Sequence, residues 1–556
     1  MTEKMPSDWD RAIPIIKAGL ADIICNRFRS AQAIFQKVLD ESISNPVSDS
    51  GVLAMYKVGI AAVNLSEGFA SGALDRLGDS LSTLWEAEDL AYNSERQWVG
   101  NSLIRGVCLL FGGIIQVIQQ SWVKAGINIT KAWTIIRPSL VEALEYRGSE
   151  RELVRNLALF LTGTLNLLVS VLPSKVISLV ELVGFDGSRT KSLSSLESCR
   201  TEDGPFSPFA ALVILNFLVV VRPYLLESVK TGDKAEAQMI INWAKDRYPG
   251  SFFFHMAEAS LFMVCREPAL AVQALAGLGE AAAEVPTLQM LLFYRRGLAN
   301  LASGNHSAAL KDFNSAREAQ LHAGRQSYVP FLCMLAICCK KTIDPAAEVS
   351  AELAIIDKMR LDIDKSDIWL PSDKWSFRRS GEYKSITNPP YTLDLYYAGV
   401  LCFSSTMDKT PANVRTEIVT PLLNNLPSDA LLGDVAKRQL IRAEILRLSG
   451  KRGEALDALD SILDRSDVEF KGFERDSLRQ LALVWQALLF AQAGEPEAAL
   501  EALKDLDDWQ LKNSGVFGHL SGGMESDFDV ALKFKRQGVQ RMIDASGFQS
   551  AESSDN

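Results

Sequence analysis

The feature that most constrains this 556-residue chain is one spacing that recurs six times. A small residue is followed seven positions later by a residue in a turn and five later by a second small residue. Two apolar residues then come four and three positions further on. Gly297, Gly304, Ala309, Phe313 and Ala316 give the clearest copy. Leu225, Gly232, Ala237, Ile241 and Ala244 give another, ending at Pro249, and Ala259, Arg266, Ala271, Leu275 and Leu278 a third. Gly19, Asn26, Ala31, Phe35 and Val38 repeat it near the start. Ala443, Gly450, Ala455, Leu459 and Ile462, then Ala487, Gly494, Ala499, Leu503 and Leu506, repeat it towards the end. Two antiparallel helices need this pattern where they cross, because large side chains at the crossing hold the backbones apart.

Ala271 follows Ala237 by 34 residues, the length of the tetratricopeptide repeat, whose two helices touch through small residues. The expected fold is therefore all-α: a tetratricopeptide-repeat superhelix, or α–α solenoid, with an apolar helical middle segment. Composition agrees. With 47% hydrophobic and 23% charged residues the chain is a folded, soluble type, and apolar alternation of strand period is hard to find. A net charge of −10 argues against a general nucleic-acid binder, which needs a basic face. The eight scattered cysteines read as reduced, buried thiols. The start carries no visible targeting signal, so the sequons at Asn64, Asn128 and Asn305 carry no weight.

The repeats fall in blocks. Residues 1–98 read as N-terminal helical pairs, 99–204 as an apolar helical middle, 205–345 as central repeats, 346–391 as a helix and long loop or insertion, 392–545 as C-terminal repeats, and 546–556 as a disordered tail. Leu157–Pro173 and Ala210–Val221 are strongly apolar but short for a span of ~20 residues. They are expected to be buried helices, with membrane contact as the alternative. The segment Asp364–Tyr391, rich in Pro, Ser, Trp and charge, is expected to be a loop.

The stretch from Gly163 to Arg189 carries a more specific signal: a Gly, an apolar helix ending in V-S-V-L-P, Lys175, a second apolar helix, then G-F-D-G-S-R. Gly163, Ser170, Leu172, Pro173, Lys175, Gly184, Phe185, Gly187 and Arg189 make this stretch resemble the tetratricopeptide repeat protein 39 family, which includes fungal inclusion-body clearance proteins of the mitochondrial outer membrane. Glu525, Phe534 and Arg536 are similar to that family's closing helix. The resemblance extends over residues ~10–545, loosely around Trp369–Tyr391. It implies a non-enzymatic protein of the cytoplasm, mitochondrial outer surface or lipid droplets, with the nucleus a further site, that works in clearance of protein inclusions or in lipid handling.

Catalytic ingredients are sparse. Gly184–Ser192 superficially resembles a phosphate loop, but Thr190 occupies the position where the glycine before the lysine belongs. Only four histidines occur, and there is no H-E-x-x-H. Cys333, Cys338 and Cys339 share one apolar helix without a second ligand cluster. G-H-L-S-G-G at Gly518–Gly523 is not a nucleophile elbow. No cofactor, metal or catalytic residue is expected.

Binding is expected on the concave face made by the first helix of each repeat. Ile13, Ile16, Leu20, Ile23 and Ile24 make it apolar at the N-terminus, and Val219, Leu226, Met256, Met263, Leu291 and Leu298 in the centre. An apolar hairpin at 157–189 is expected to plug this groove. Arg222 and Tyr294 are its polar interruptions, and Lys437, Glu444 and Arg447 turn it polar towards the C-terminus. These five residues are the candidate partner groove, with proteins as partners, a lipid or membrane surface as the alternative, and no nucleic acid.

Overall fold

The computed structural model describes residues 7–44, 49–71, 74–119, 121–171, 188–227, 229–279, 282, 285–361, 371–401, 406–424, 432–465, 473–513 and 527–547. Among them there are helices and turns and no strand. The chain forms two compact units. One comprises residues 1–218, 232–257 and 278–288, the other residues 219–231, 258–277 and 289–556.

The first unit begins with α1 (Asp8–Ile24), started by a Ser7–Asp10 capping box, and α2 (Phe28–Ser44). Gly19 lies against the Phe35 ring, so α1 and α2 cross where a side chain at 19 would collide. Next come α3 (Ser50–Ser71), α4 (Leu74–Tyr92), α5 (Val99–Ile118), α6 (Trp122–Glu145), α7 (Arg151–Val171) and α8 (Arg189–Thr201), each packing on its neighbour. Then α9 (Ser207–Asn216) runs through a π-helical turn, Phe217–Val221, into α10 (Arg222–Tyr224). This unit also holds α11 (Thr231–Arg247), part of α12 (Phe252–Val264) and residues 286–288, the start of a later helix. The first repeat does not stop at α3. Asn26 Nδ2 donates to Gly250 O (2.9 Å), and its Oδ1 accepts from Phe252 N (3.0 Å). Ser251 Oγ donates to Ile24 O (2.7 Å), which joins turns 226 residues apart.

The apolar middle is longer than its sequence boundaries. By length and composition three helices are long and apolar enough to cross a membrane: Val99–Ile118, Arg151–Val171 and Ser207–Tyr224. Arg155, which marks the edge of the apolar run in sequence, is inside α7 and pairs with Glu202 at 2.6 Å. Shortness therefore does not argue against a span. Burial does for α7 and α5, since 83% and 67% of their windows are already inside the protein, against 50% for Ser207–Tyr224. The neighbours of α7 are α5, α6, α8 and α9, so it is a member of the helical stack and not a plug seated in a repeat groove. The hairpin's second arm lies outside the described residues.

The second unit holds α13 (Pro268–Ala276), most of α14 (Pro286–Ala302), α15 (His306–His322), α16 (Val329–Ile343), α17 (Ser350–Arg360), α18 (Pro371–Tyr383) and α19 (Tyr391–Leu401). After these come α20 (Thr406–Lys409), α21 (Ala412–Val414) with a π-turn at Arg415–Val419, α22 (Thr420–Asn424) and α23 (Leu432–Leu448). The chain finishes with α24 (Arg452–Leu463), α25 (Phe473–Gln492), α26 (Pro496–Asn513) and α27 (Asp527–Ala545). The segment expected as a loop after residue 363 contains α18, with Trp375 and Phe377 buried in the main core. Its polar composition misleads because Arg379, Ser376 and Ser380 are buried there too.

Five of the six repeat frames are built as their spacing requires. The two small or apolar crossing residues of each frame are buried. The turn position is left-handed at Asn26 (φ 66°), Arg266 (62°), Gly304 (75°), Gly450 (74°) and Gly494 (74°). Each turn closes its helix with the same pair of bonds, as in Gly304 N→Leu301 O and Asn305 N→Asn300 O, so the orphan carbonyls of the first helix are satisfied. The sixth frame departs. Gly232 lies within the first turn of α11, and the left-handed residue is Leu226 (φ 56°). That turn is seated at the far end of the chain: Gly538 of α27 abuts the Leu225 carbonyl, and Arg541 pairs with Glu227 at 3.3 Å. Leu226 packs with Ala487, Leu503 and Val539.

Candidate functional site

The five groove candidates separate into different environments, all in the second unit. Tyr294 is half-buried in a ring cluster with Phe313, Tyr328 and Phe331, at centroid distances of 6.4–6.5 Å. Arg222 lies 3.9 Å from Glu227, beside the turn that meets α27. Both are placed by local packing.

Lys437 corrects the expectation of an open polar groove. It is fully buried, 3.1 Å from Asp434 and 3.7 Å from Asp394, with its ammonium over the Tyr397 ring. Arg379 completes the network through Asp394 (2.7 Å), Asp434 (2.6 Å) and Glu382 (2.8 Å). Burial opposes the charge on Arg379, but Asp394, Tyr383 and Asp434 together outweigh it and raise the guanidinium pKa. Tyr383 also donates to Asp394 (2.8 Å). Lys437 occupies a first-helix position that a bare repeat leaves open, and α18 and α19 cover it here. The two buried cations are held by the fully buried Asp394 and Asp434 and by the half-buried Glu382, so this network is structural.

Glu444 and Arg447 belong together, though not as an open surface. Glu444 is 2% exposed and Arg447 half-buried. Both are within electrostatic reach of Arg415 and of Lys535 on α27. Arg415, also 2% exposed, donates to Thr410 O (2.5 Å) and Met407 O (3.3 Å) at the end of α20. Lys409 of α20 is coupled to Asp408, Arg295 and Lys535. Arg266, in its left-handed turn, donates from Nε to Asp408 O (3.0 Å). Among the described residues, six cations thus converge around two acids, Asp408 and Glu444, from α14, α20, the π-turn, α23, α27 and the turn before α13. Burial lowers the Lys409 pKa to about 8; Asp408 resists this, while Arg295 and Lys535 add to it. Burial likewise lowers the Lys535 pKa, against Glu444 and Asp408 and with Arg447. Lys535 also faces the Trp485 ring at 5.9 Å. Sequence reasoning reached Glu444 and Arg447 as groove positions and Arg266 only as a turn residue. The other members lie outside the groove positions of the repeat, and no spacing joins them.

Of the family-signature residues, Gly163 and Arg189 are described; Pro173, Lys175, Gly184, Phe185 and Gly187 lie outside the described residues. A Cβ at Gly163 would meet Leu196 Cγ at 2.6 Å and Ser192 O at 3.0 Å, so glycine lets α7 and α8 approach closely. Arg189 reaches the Ser170 carbonyl at the end of α7 and covers the Phe217 ring at 5.5 Å. Both residues therefore fasten the middle helices. Arg536 of the closing helix pairs with Asp507 at 2.5 Å, tying α27 to α26.

The family model for Iml2/Tetratricopeptide repeat protein 39 matches residues 17–396, about two thirds of the chain. The chain belongs to this family. The match takes in the first repeat, the apolar middle, the central repeats, α18 and the start of α19. Among solved structures, the chain is similar to one titled crystal structure of APC/C hetero-tetramer Cut9–Hcn1, at 12% identity. That likeness covers 97% of this chain and 96% of the other with a TM-score of 0.20, which supports no conclusion about fold or partners.

Proposed function

We propose that the chain is a non-enzymatic scaffold that binds protein partners along the first-helix face of its repeats. The observation that carries this is the repeated crossing-and-turn geometry, together with the packing of the first helices of the last two frames, α23 and α25, on each other. Family membership supports the same function. A photo-crosslinking residue at Met263 or Leu291, both half-buried first-helix positions, is expected to capture partner protein in cells. The same residue at Leu270 or Leu321, exposed on second helices, is expected not to. Capture only from the second-helix positions overturns the proposal. The family resemblance supports a role for the scaffold in clearing protein inclusions at organelle surfaces, among them the mitochondrial outer membrane and lipid droplets. Unchanged inclusion lifetime in cells lacking the protein overturns that role.

A second reading, contact with a lipid surface, is favoured by α6. Val123, Ile127 and Val141 are 77%, 51% and 60% exposed, and Lys124, Lys131 and Arg137 are exposed on the same helix. Apolar side chains with basic neighbours on one surface helix suit an anionic interface. The contact is thus proposed for α6 and not for the buried α7. Co-sedimentation of the full chain with phosphatidylserine vesicles, abolished by Val123→Glu with Ile127→Glu, supports it; equal sedimentation of that variant overturns it.

A further inference from the structure

We propose that α27 is an internal ligand of the first-helix face of the last repeat, and that a basic amphipathic helix of a partner displaces it. This rests on the scaffold function and names the chemistry of what that part of the scaffold binds. The packing of α27 sets it apart from the repeats. Where one repeat follows another, the incoming first helix packs mainly on the second helix before it, as α25 does on α24, and less on the first helix, α23. The reverse holds for α27, which packs mainly on α25 and less on α26. It also meets the turn after α10, where Arg541 reaches Glu227 across 314 residues of chain. From Lys535 to Ile543 no side chain is exposed. That run covers about two and a half turns and so samples every face of the helix. A cap lying over the end of the stack keeps one face open to water, whereas α27 is enclosed.

The contacts define what this face recognises. Leu532, Val539 and Ile543 form a buried apolar stripe, and the last two pack with Leu488 of α25, Leu503 of α26 and Leu226. Leu488 follows the crossing residue Ala487 and belongs to the face proposed for partners. Gly538 is needed because a Cβ there would collide with the Leu225 carbonyl. Arg536 pairs with Asp507 at 2.5 Å and Arg541 with Glu227 at 3.3 Å. The face thus selects a helix with apolar residues at i, i+7 and i+11, a glycine at i+6 and basic residues at i+4 and i+9. Two properties make α27 exchangeable with such a helix. An interior glycine weakens a helix on its own, so α27 depends on its contacts, and both arginine pairs are part-exposed, where an ion pair adds little. None of the six repeat frames has a residue on α27, so its departure leaves every crossing in place.

The test uses the purified full chain and a fluorescein-labelled peptide of residues 527–547, read by fluorescence anisotropy. In the parent chain the tethered α27 competes with the peptide, so binding should be weak. Gly538→Leu in the chain drives its own helix off the Leu225 carbonyl and should tighten peptide binding about tenfold. Arg541→Glu, which sets a like charge against Glu227, should tighten it about threefold. A peptide that itself carries Gly538→Leu should bind none of the three chains. Equal binding of the unaltered peptide to the parent and both variants, or binding to none, overturns the proposal. Amide hydrogen exchange of the parent chain gives a readout that needs no substitution: α27 should exchange about tenfold faster than α25 and α26. Exchange of all three at one rate makes α27 a structural cap and overturns the proposal as well. Dimerisation of the parent through exchanged α27, lost in Arg541→Glu, gives the face to a second copy and likewise overturns it. If the peptide test fails while partner is still crosslinked from Leu291, the internal ligand fails and the scaffold stands; if the parent chain crosslinks from no first-helix position, the scaffold itself fails.

Discussion

Replacing Arg379 by methionine removes the centre of the buried network while keeping an unbranched apolar stem of similar length. Arg379 is 1% exposed and bonds to Asp394 at 2.7 Å and Asp434 at 2.6 Å, and both acids are buried as fully. Without it, two carboxylates share one ammonium, Lys437, at 3.1 and 3.7 Å. Removing one partner of a buried ion pair costs about 3–5 kcal/mol, because the survivor stays desolvated and uncompensated. That equals roughly two to three and a half decades in an opening equilibrium. The damage should be local to the helices that meet there, α18, α19 and α23, so amide hydrogen exchange resolved by peptide is the suitable assay. Those helices should exchange faster by that factor, while α1 and α2 in the other unit keep the parent rate. Adding Asp394→Leu leaves Asp434 and Lys437 as a balanced pair, and should recover about 1–3 kcal/mol of the loss through coupling. Unchanged exchange in α18 and α23 in the Arg379→Met chain would falsify the argument. A double variant no better than the single one would show that charge imbalance is not the cause.

Three further outcomes follow from particular contacts. Gly297→Leu should destabilise the central repeat by about 1–3 kcal/mol in chemical denaturation, because even a Cβ there lies 2.6 Å from Phe313 Cε1; an unchanged midpoint would refute the crossing. Asn26→Gly relieves a left-handed conformation but leaves the Phe252 N–H and Gly250 carbonyl without their partner, so stability should fall by about 1–2 kcal/mol and not rise. The Lys409 pKa is lowered from 10.5 to about 8, so between those values the unfolded chain binds more protons than the folded one and this group's contribution to stability rises with pH. Lys409→Met should therefore flatten the stability profile between pH 8 and 10.5, and identical slopes in the two proteins would contradict the assignment.

What the sequence determined by itself is local. Helix pairs joined by a short turn contact each other within about one repeat of sequence, so the crossing at Gly297 and Phe313 and the turns at Gly304, Gly450 and Gly494 were legible from spacing alone. Even Arg266, an unexpected residue for a left-handed turn, was placed by its frame. The tertiary structure decided whatever depends on which element covers a repeat. Lys437 sits at a groove position of its own helix, and only α18 and α19 make that position interior. The polar composition of 364–391 hid α18 because its buried Arg379 is satisfied by Asp394 and Asp434, both on other elements. The same holds for the Leu225 turn that docks on α27 and for the six cations gathered from six elements. A periodic pattern records the contact each helix must make with its neighbour in sequence. It carries no record of a partner supplied hundreds of residues away, since such a contact constrains single positions and not a spacing.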